Sequence, residues 1–304
     1  MKSELSKAYL ALALVCLVWG TTYFFMLIGV STIPPFLFSG VRQTIAGTIL
    51  IIGLKLSGKL SVLNRSNIIR QVIPGILMIS LGNGVVGWSE QYIPSGLAAL
   101  IVSIMPVYIV LIAFITRAER KKPNDTILIG LLLGSLGIGM MFRDNLADFV
   151  NPQYFTGMLV AFFAALCWAS GSVFAKYRPA GTSPLTNAAI QMLSGGFFLL
   201  LMSIFMDDYS TLNQISNDSI GALIYLIFIG SLLAYPCFVY ALEKLPVGLS
   251  SIYAYINPFI ALLLGFFVLS EKLTWVTAAA LFTALGSIYF INKGYKIKPK
   301  LQKE

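Results

Sequence analysis

The chain has 304 residues, 58% of them hydrophobic and only 11% charged, with a mean hydropathy of +0.85. A soluble domain of ordinary make-up is about 25% charged, and a water-facing surface with so few charges would be too apolar to stay dispersed. The net charge of +9 sits almost wholly in loops and tails, which points to membrane topology and anionic lipid rather than to nucleic acid.

Apolar residues come in blocks of about 20, the length that crosses about 30 Å of hydrocarbon as a helix. Backbone groups in lipid must be bonded internally, so such blocks mean helices, whereas a β-barrel would alternate over about ten residues. Ten spans are predicted in chain order: residues 8–28, 35–56, 71–88, 96–116, 126–142, 155–175, 185–206, 219–242, 248–269 and 273–291. The first is read as a retained helix, because its apolar run is too long for a signal peptide and lacks a small-x-small cleavage site. Loop charge then sets orientation. Eighteen Lys and Arg residues fall on the side of the two termini, Arg143 and Lys272 fall on the other, and Arg42 lies inside a span. The positive-inside rule makes both termini cytoplasmic, in a multi-pass protein of the cytoplasmic (inner) membrane.

The three cysteines, Cys16, Cys167 and Cys237, lie inside spans and read as small buried hydrophobes. The sequence has no histidine, which excludes imidazole acid–base chemistry. It has no Cys/His metal spacing and no GxxxxGK[ST] run, so neither a metal, a cofactor nor ATP is expected.

An internal repeat organises the spans. Ile93-Pro94-Ser95-Gly96-Leu97 matches Leu245-Pro246-Val247-Gly248-Leu249 at an offset of 152, and Pro106 and Glu119 match Pro258 and Glu271 at the same offset. Trp19 matches Trp168 at 149, and Gln43 matches Gln191 at 148. The expected units are residues 1–146 and 147–304, with five spans each. Five is odd, so the second unit sits upside down relative to the first. Inverted repeats of this kind are a construction of secondary transporters.

Several short motifs carry a family likeness. They are Trp19-Gly20-Thr21-Thr22, Arg42, the Gly-Leu-Ala-Ala-Leu-Ile…Pro run over 96–106, Cys167-Trp168-Ala169, and Tyr255, Asn257, Pro258 and Glu271. Together and in order they resemble the drug/metabolite transporter superfamily, in its EamA-type branch, over about residues 8 to 292. The resemblance implies an all-α membrane protein of ten helices around a central cavity. It also implies export of a small organic solute such as an amino acid or related metabolite. A monomer and a homodimer are both compatible with it.

Candidate site residues follow from polarity at depth. Arg42 costs roughly 2.5–3.5 kcal/mol to bury in lipid, so it needs protein, water or a partner. It is a clamp for a substrate carboxylate, or half of a structural ion pair, for which Glu90 is the best-placed carboxylate, or a side chain snorkelling toward the headgroups. Asn83, Gly87, Glu90 and Gln91 share one helix face, and Trp88 stands beside them near an interface. Asn83 reads as path wall. Glu90 reads either as a protonatable group for a coupling proton or as a solvated surface carboxylate. Tyr253 and Asn257 share a face beside Pro258, which frees a carbonyl near mid-depth, either at a central site or as a mere packing kink. Trp19, Trp168 and Tyr235 lie away from the interfacial belts and either stack on substrate or fill the core. Thr22 and Ser172, a turn from the two tryptophans, would make that pocket polar. Glu119 and Glu271 read as surface pairs with Arg120 and Lys272. An intramembrane enzyme would need a nucleophile–base pair, a metal set or paired acids at depth, and none is present. A channel or a lipid or drug flippase is the alternative to a transporter.

Overall fold

The protein, a computed structural model, is described over residues 2–89, 91–93, 95–119, 122–141, 143, 150–260 and 275–296. Among these residues the regular structure is all helical. The elements are α1 (Lys2–Val30), α2 (Pro35–Leu56), α3 (Arg65–Ser89), α4 (Ser95–Val102), α5 (Met105–Ile115), α6 (Asp125–Met141), α7 (Phe155–Tyr177), α8 (Pro184–Met206), α9 (Asn217–Lys244), α10 (Val247–Ser250) and α11 (Trp275–Lys296). Residues 253–260 are also helical. Helices α1, α2, α3, α7, α8 and α9 are long and apolar enough to cross a membrane, and Leu100–Ile115 and Asp125–Met140 are shorter apolar helices. Large apolar side chains such as Leu132, Phe197, Phe205 and Phe282 stand exposed on the outside, where lipid rather than water suits them. The protein is therefore an all-helical integral membrane protein.

Two features differ from the predicted spans. Helix α1 begins at Lys2 rather than near residue 8, because Glu4 continues the helix and reaches Lys7 and Lys244 at 3.7 and 3.6 Å. The fourth span is broken into α4 and α5 around Ser103 and Ile104. Of the ninth predicted span, residues 261–269 lie outside the described residues, as do Glu90, Arg120, Glu271 and Lys272.

Small residues let helix backbones meet. Helices α2 and α8 run antiparallel in close contact, and a Cβ added at Gly196 would lie 2.6 Å from the Thr44 nitrogen. Helices α6 and α11 pair in the same way, where a Cβ at Gly130 would lie 2.9 Å from the Ile291 nitrogen. In lipid there is little hydrophobic drive between helices, so close packing of this kind holds them together. Two turns inside long helices are wound differently. Gly75–Gly84 of α3 and Leu226–Leu233 of α9 are π-helical. Pro74 lies directly before the first and Pro236 shortly after the second, and a missing N–H lets the ladder slip. Such π turns gather at functional sites.

Hydrogen bonds group the helix ends into two layers. At one end Asp207 Oδ1 and Oδ2, past α8, accept from the Phe36 and Leu37 nitrogens of α2 at 3.3 and 2.7 Å. Ser219 Oγ of α9 donates to the Ile28 carbonyl of α1 at 2.8 Å at that end. At the other end, which carries most of the basic residues, Asn187 Nδ2 of α8 donates to Glu243 Oε1 of α9 at 2.6 Å. Lys176 Nζ of α7 donates there to the Glu243 carbonyl at 2.8 Å. Glu119, whose expected partner Arg120 lies outside the described residues, accepts a hydrogen bond from the Tyr177 hydroxyl and lies near Lys176; burial between helices outweighs both and holds its carboxyl above the usual range.

Candidate substrate cavity

A cavity of about 110 Å³ lies among α1, α2, α3, the α4–α5 break (Val102 and Met105), α7, α9 and the helical residues 253–260. Its wall includes Trp19, Thr22, Arg42, Asn83, Trp168, Tyr235, Tyr253 and Asn257. Met26, Arg42, Val86 and Gly87 of the wall sit close to their helix ends at the Asp207 layer, so the cavity occupies that half of the bundle.

Its floor is aromatic. The Trp19 ring meets Tyr253, Phe238 and Trp168 at centroid distances of 4.9, 5.1 and 5.7 Å. Tyr235 adds a polar edge: its hydroxyl donates to Gln191 Oε1 at 2.8 Å, while Gln191 Nε2 donates to Gln71 Oε1. This buried network lies toward the basic end and seals the cavity there. Edge-to-face rings stabilise such a floor by about 0.5–1.5 kcal/mol per pair beyond burial, and they offer π faces to a ligand above.

Arg42 is the charge in the wall. It is only 6% exposed. Nη2 donates to Asn83 Oδ1 at 3.1 Å, and Nη1 lies 3.8 Å from Met26 Sδ. Its Nε has no hydrogen-bond partner, and no carboxylate pairs with the guanidinium, among the described residues. The ion-pair partner expected from the sequence, Glu90, lies outside them. A buried cation held by one neutral amide and a thioether is poorly compensated, so it favours an anion entering the cavity.

The broken helices are satisfied locally. Pro258 removes the bond that would reach the Ala254 carbonyl, and Ser103 Oγ, at the α4–α5 break, donates to that oxygen at 3.3 Å. The Asn257 amide turns its NH2 toward the carbonyls of Tyr253 and Cys16, at 3.0 and 3.1 Å. It therefore ties the kinked segment to α1. Trp19 Nε1 donates to the Gly230 carbonyl at 3.2 Å, on the π turn of α9.

Two further residues read as site lie off the wall. Ser172 is buried behind Trp168, donating to its carbonyl at 2.9 Å with Met78 Sδ at 3.4 Å, so it braces the tryptophan's helix. Trp88 stacks on Phe36, with centroids 6.5 Å apart, and meets a tilted Tyr92 ring at 4.7 Å, near the Asp207 layer. Conversely, Gln43 and Gly230 line the cavity without having stood out as site residues. The doubling of Gln43 as Gln191 in the repeat was the available signal.

A bundle of apolar helices around a half-depth cavity, floored by aromatics and carrying one ill-paired cation, defines a multi-pass membrane protein built to hold a small solute. Residues 6–143 and, separately, residues 155–293 match the EamA-like transporter family. The Escherichia coli (strain K12) protein named "Uncharacterized inner membrane transporter YedA" is 30% identical over 301 residues, covering 97% of this chain and 94% of that protein. "Protein PecM" of Dickeya dadantii (strain 3937) is 30% identical over 302 residues, covering 94% and 95%. A solved structure described only as a protein crystal structure superposes with a TM-score of 0.77 at 20% identity, covering 96% of this chain and 98% of that one. The chain belongs to the EamA-like transporter family, within the drug/metabolite transporter superfamily. It is a membrane transporter of small-molecule solutes working in a lipid environment.

Proposed function

We propose that this transporter exports a small carboxylate-bearing organic solute, such as an amino acid or related metabolite, by alternating access across the inner membrane. Both termini are then cytoplasmic. Ten helices form two inverted five-helix repeats, 1–146 and 147–304, around the central cavity. The observation that carries this reading is Arg42, a guanidinium in the cavity wall with one amide partner and an unpaired Nε among the described residues. Planar N–H donors favour a carboxylate held by two parallel bonds, and the aromatic floor suits an apolar body. The repeat is supported by the two separate family matches, one in each half. It is supported also by the pairing of α2 with α8 and of α6 with α11, which hold equivalent places in the two halves.

The test is a solute screen on right-side-out and inverted vesicles, with and without a proton gradient. Arg42→Lys keeps the charge but loses the planar fork. Loss of one charged hydrogen bond, roughly 1.5–3 kcal/mol, weakens apparent affinity about ten- to hundredfold. Unchanged transport by a well-folded Arg42→Ala protein would remove Arg42 from the site. A gradient-dependent rate would add a coupling proton, for which Glu90 is the candidate read from the sequence.

A further inference from the structure

We propose that Trp168, Ser231 and Ser39 are the groups that gain hydrogen bonds when the bundle passes to the opposite-facing conformation, closed at the Asp207 end, with Ser39 at that end and the other two at mid-depth. Each is the repeat mate of a group that is already bonded in the conformation described. This rests on the transporter reading and on the inverted repeat.

Three hydrogen bonds made here have mates that are not made. Trp19 Nε1 donates to the Gly230 carbonyl. Its mate Trp168 (offset 149) and the mate of Gly230, Ile79 (offset 151), sit on packed helices, yet Trp168 Nε1 is buried without a partner among the described residues. Ser80 Oγ donates to the Gly195 carbonyl at 2.8 Å. Ser80-Leu81 matches Ser231-Leu232 at 151, and Gly195 matches Gly47 at 148. Ser231 Oγ is again buried and unpartnered among those residues. Asn187 Nδ2 donates to Glu243 Oε1 at the basic end. The mates at the Asp207 end are Ser39 (offset 148) and Gln91 (offset 152). Ser39 Oγ is buried and unpartnered among those residues, while Gln91 is exposed.

The physical reason to read these as latches is that leaving a buried polar atom unmade is costly. Ser39 and Ser231 do not line the cavity, so cavity water is no ready partner. Two near-equivalent halves can exchange conformations at similar energy, and exchange carries each half into the bonding of its mate. The three orphans then pair with Gln91, the Gly47 carbonyl and the Ile79 carbonyl, and the three bonds now made are given up. The glutamate of the basic-end latch is matched at the other end by the neutral Gln91, so the two ends are locked by different chemistry.

The experiment measures the balance of states directly. Spin labels at Val30→Cys and Gln153→Cys, on α1 and just before α7 at the Asp207 end, report an open and a closed distance in a protein lacking Cys16, Cys167 and Cys237, in lipid nanodiscs. Ser231→Ala and Ser39→Ala remove bonds of the closed form and raise the open-to-closed ratio. Ser80→Ala and Asn187→Ala remove bonds of the open form and lower it. One hydrogen bond corresponds to about a fivefold change in each case. Opposite signs for the same Ser→Ala change at two mates are not what a general loss of stability produces. As a second arm, with an added mild oxidant to take up the two thiol electrons, Ser39→Cys with Gln91→Cys forms a disulfide that leaves only the short distance, and Asn187→Cys with Glu243→Cys leaves only the long one. Shifts of the same sign for Ser80→Ala and Ser231→Ala, or no Ser39→Cys/Gln91→Cys disulfide in a folded protein whose basic-end pair does cross-link, would overturn the proposal. Solute export by the unmodified protein is scored separately, so loss of the latch exchange and loss of the transporter reading remain distinguishable.

Discussion

Arg42 was legible as a lone residue, because a cation within a span must find protein, water or a counter-charge. Its partner was not. Asn83 lies 41 positions away, and only the packing of α2 against α3 brings the two together. That pairing yields a prediction that separates binding from folding. Asn83→Asp places a carboxylate where the amide oxygen now stands, 3.1 Å from Nη2. The new internal ion pair compensates Arg42 and competes with a substrate carboxylate. The variant should melt higher in detergent than the parent while its apparent affinity for solute falls about tenfold or more, the worth of one charged hydrogen bond. A variant with a lower melting point and unaltered affinity would show that Arg42 is not short of a counter-charge. The aromatic residues were legible by depth alone. That Trp19, Trp168, Tyr235 and Tyr253 form one floor, while Trp88 stacks outside it, depends on helix rotation that a single span does not specify.

At the level of elements, the antiparallel α2–α8 pair is held by glycine contacts along its length and by Asp207 at one end. Asp207 caps a helix other than its own, giving two backbone donors of the first turn of α2 a carboxylate while it also accepts from Ser203 Oγ at 2.7 Å. Its charge also opposes the positive end of the helix dipole. Asp207→Ala should therefore destabilise the protein by about 0.5–2 kcal/mol, as loss of a cap does. A lower melting temperature with unchanged solute affinity is the expected pair of results. The lengths of α2, α7 and α8 followed from apolar runs within a residue or two. The π turns of α3 and α9 did not, because the residue types tolerate either winding and the choice is made by neighbouring prolines and by packing. The break between α4 and α5 lay just before Pro106, but its position at Ser103 and Ile104 suits the bond to Ala254, a contact from the other half of the chain.

For the whole molecule, charge and burial make two predictions. Glu119 lies past the end of α5, and its carboxyl is held above the usual value by burial, against the lowering effects of Tyr177 and Lys176. The folded state therefore binds this proton more tightly than the unfolded state, whose value is about 4.5. Stability from this group is present below that value and is lost as pH rises through the folded value. Glu119→Gln should lose that dependence, so melting curves taken from pH 4 to pH 8 should fall less steeply for the variant than for the parent. A steeper fall in the variant would reverse the sign of the assignment. The second prediction is orientation: a reporter active only in the cytoplasm, fused after Glu304, should be active, since the ten-span reading of the sequence puts eighteen basic residues on that side. A silent fusion at normal expression would invert the molecule.

The sequence by itself determined the solvent, the secondary structure and the family. Each of these follows from composition, apolar block length and short motifs, which are properties of nearby residues. It also carries matched prolines, glutamines and tryptophans at offsets of 148 to 152, the ground for proposing a repeat. Tertiary structure alone decided which side chains share the cavity and that Arg42 meets an amide. The reason is that a single span is apolar nearly all round, so its sequence leaves its rotation about its own axis almost free. Close backbone contacts such as Gly196 on Thr44 and Gly130 on Ile291 fix that rotation, and those contacts join residues more than 150 positions apart.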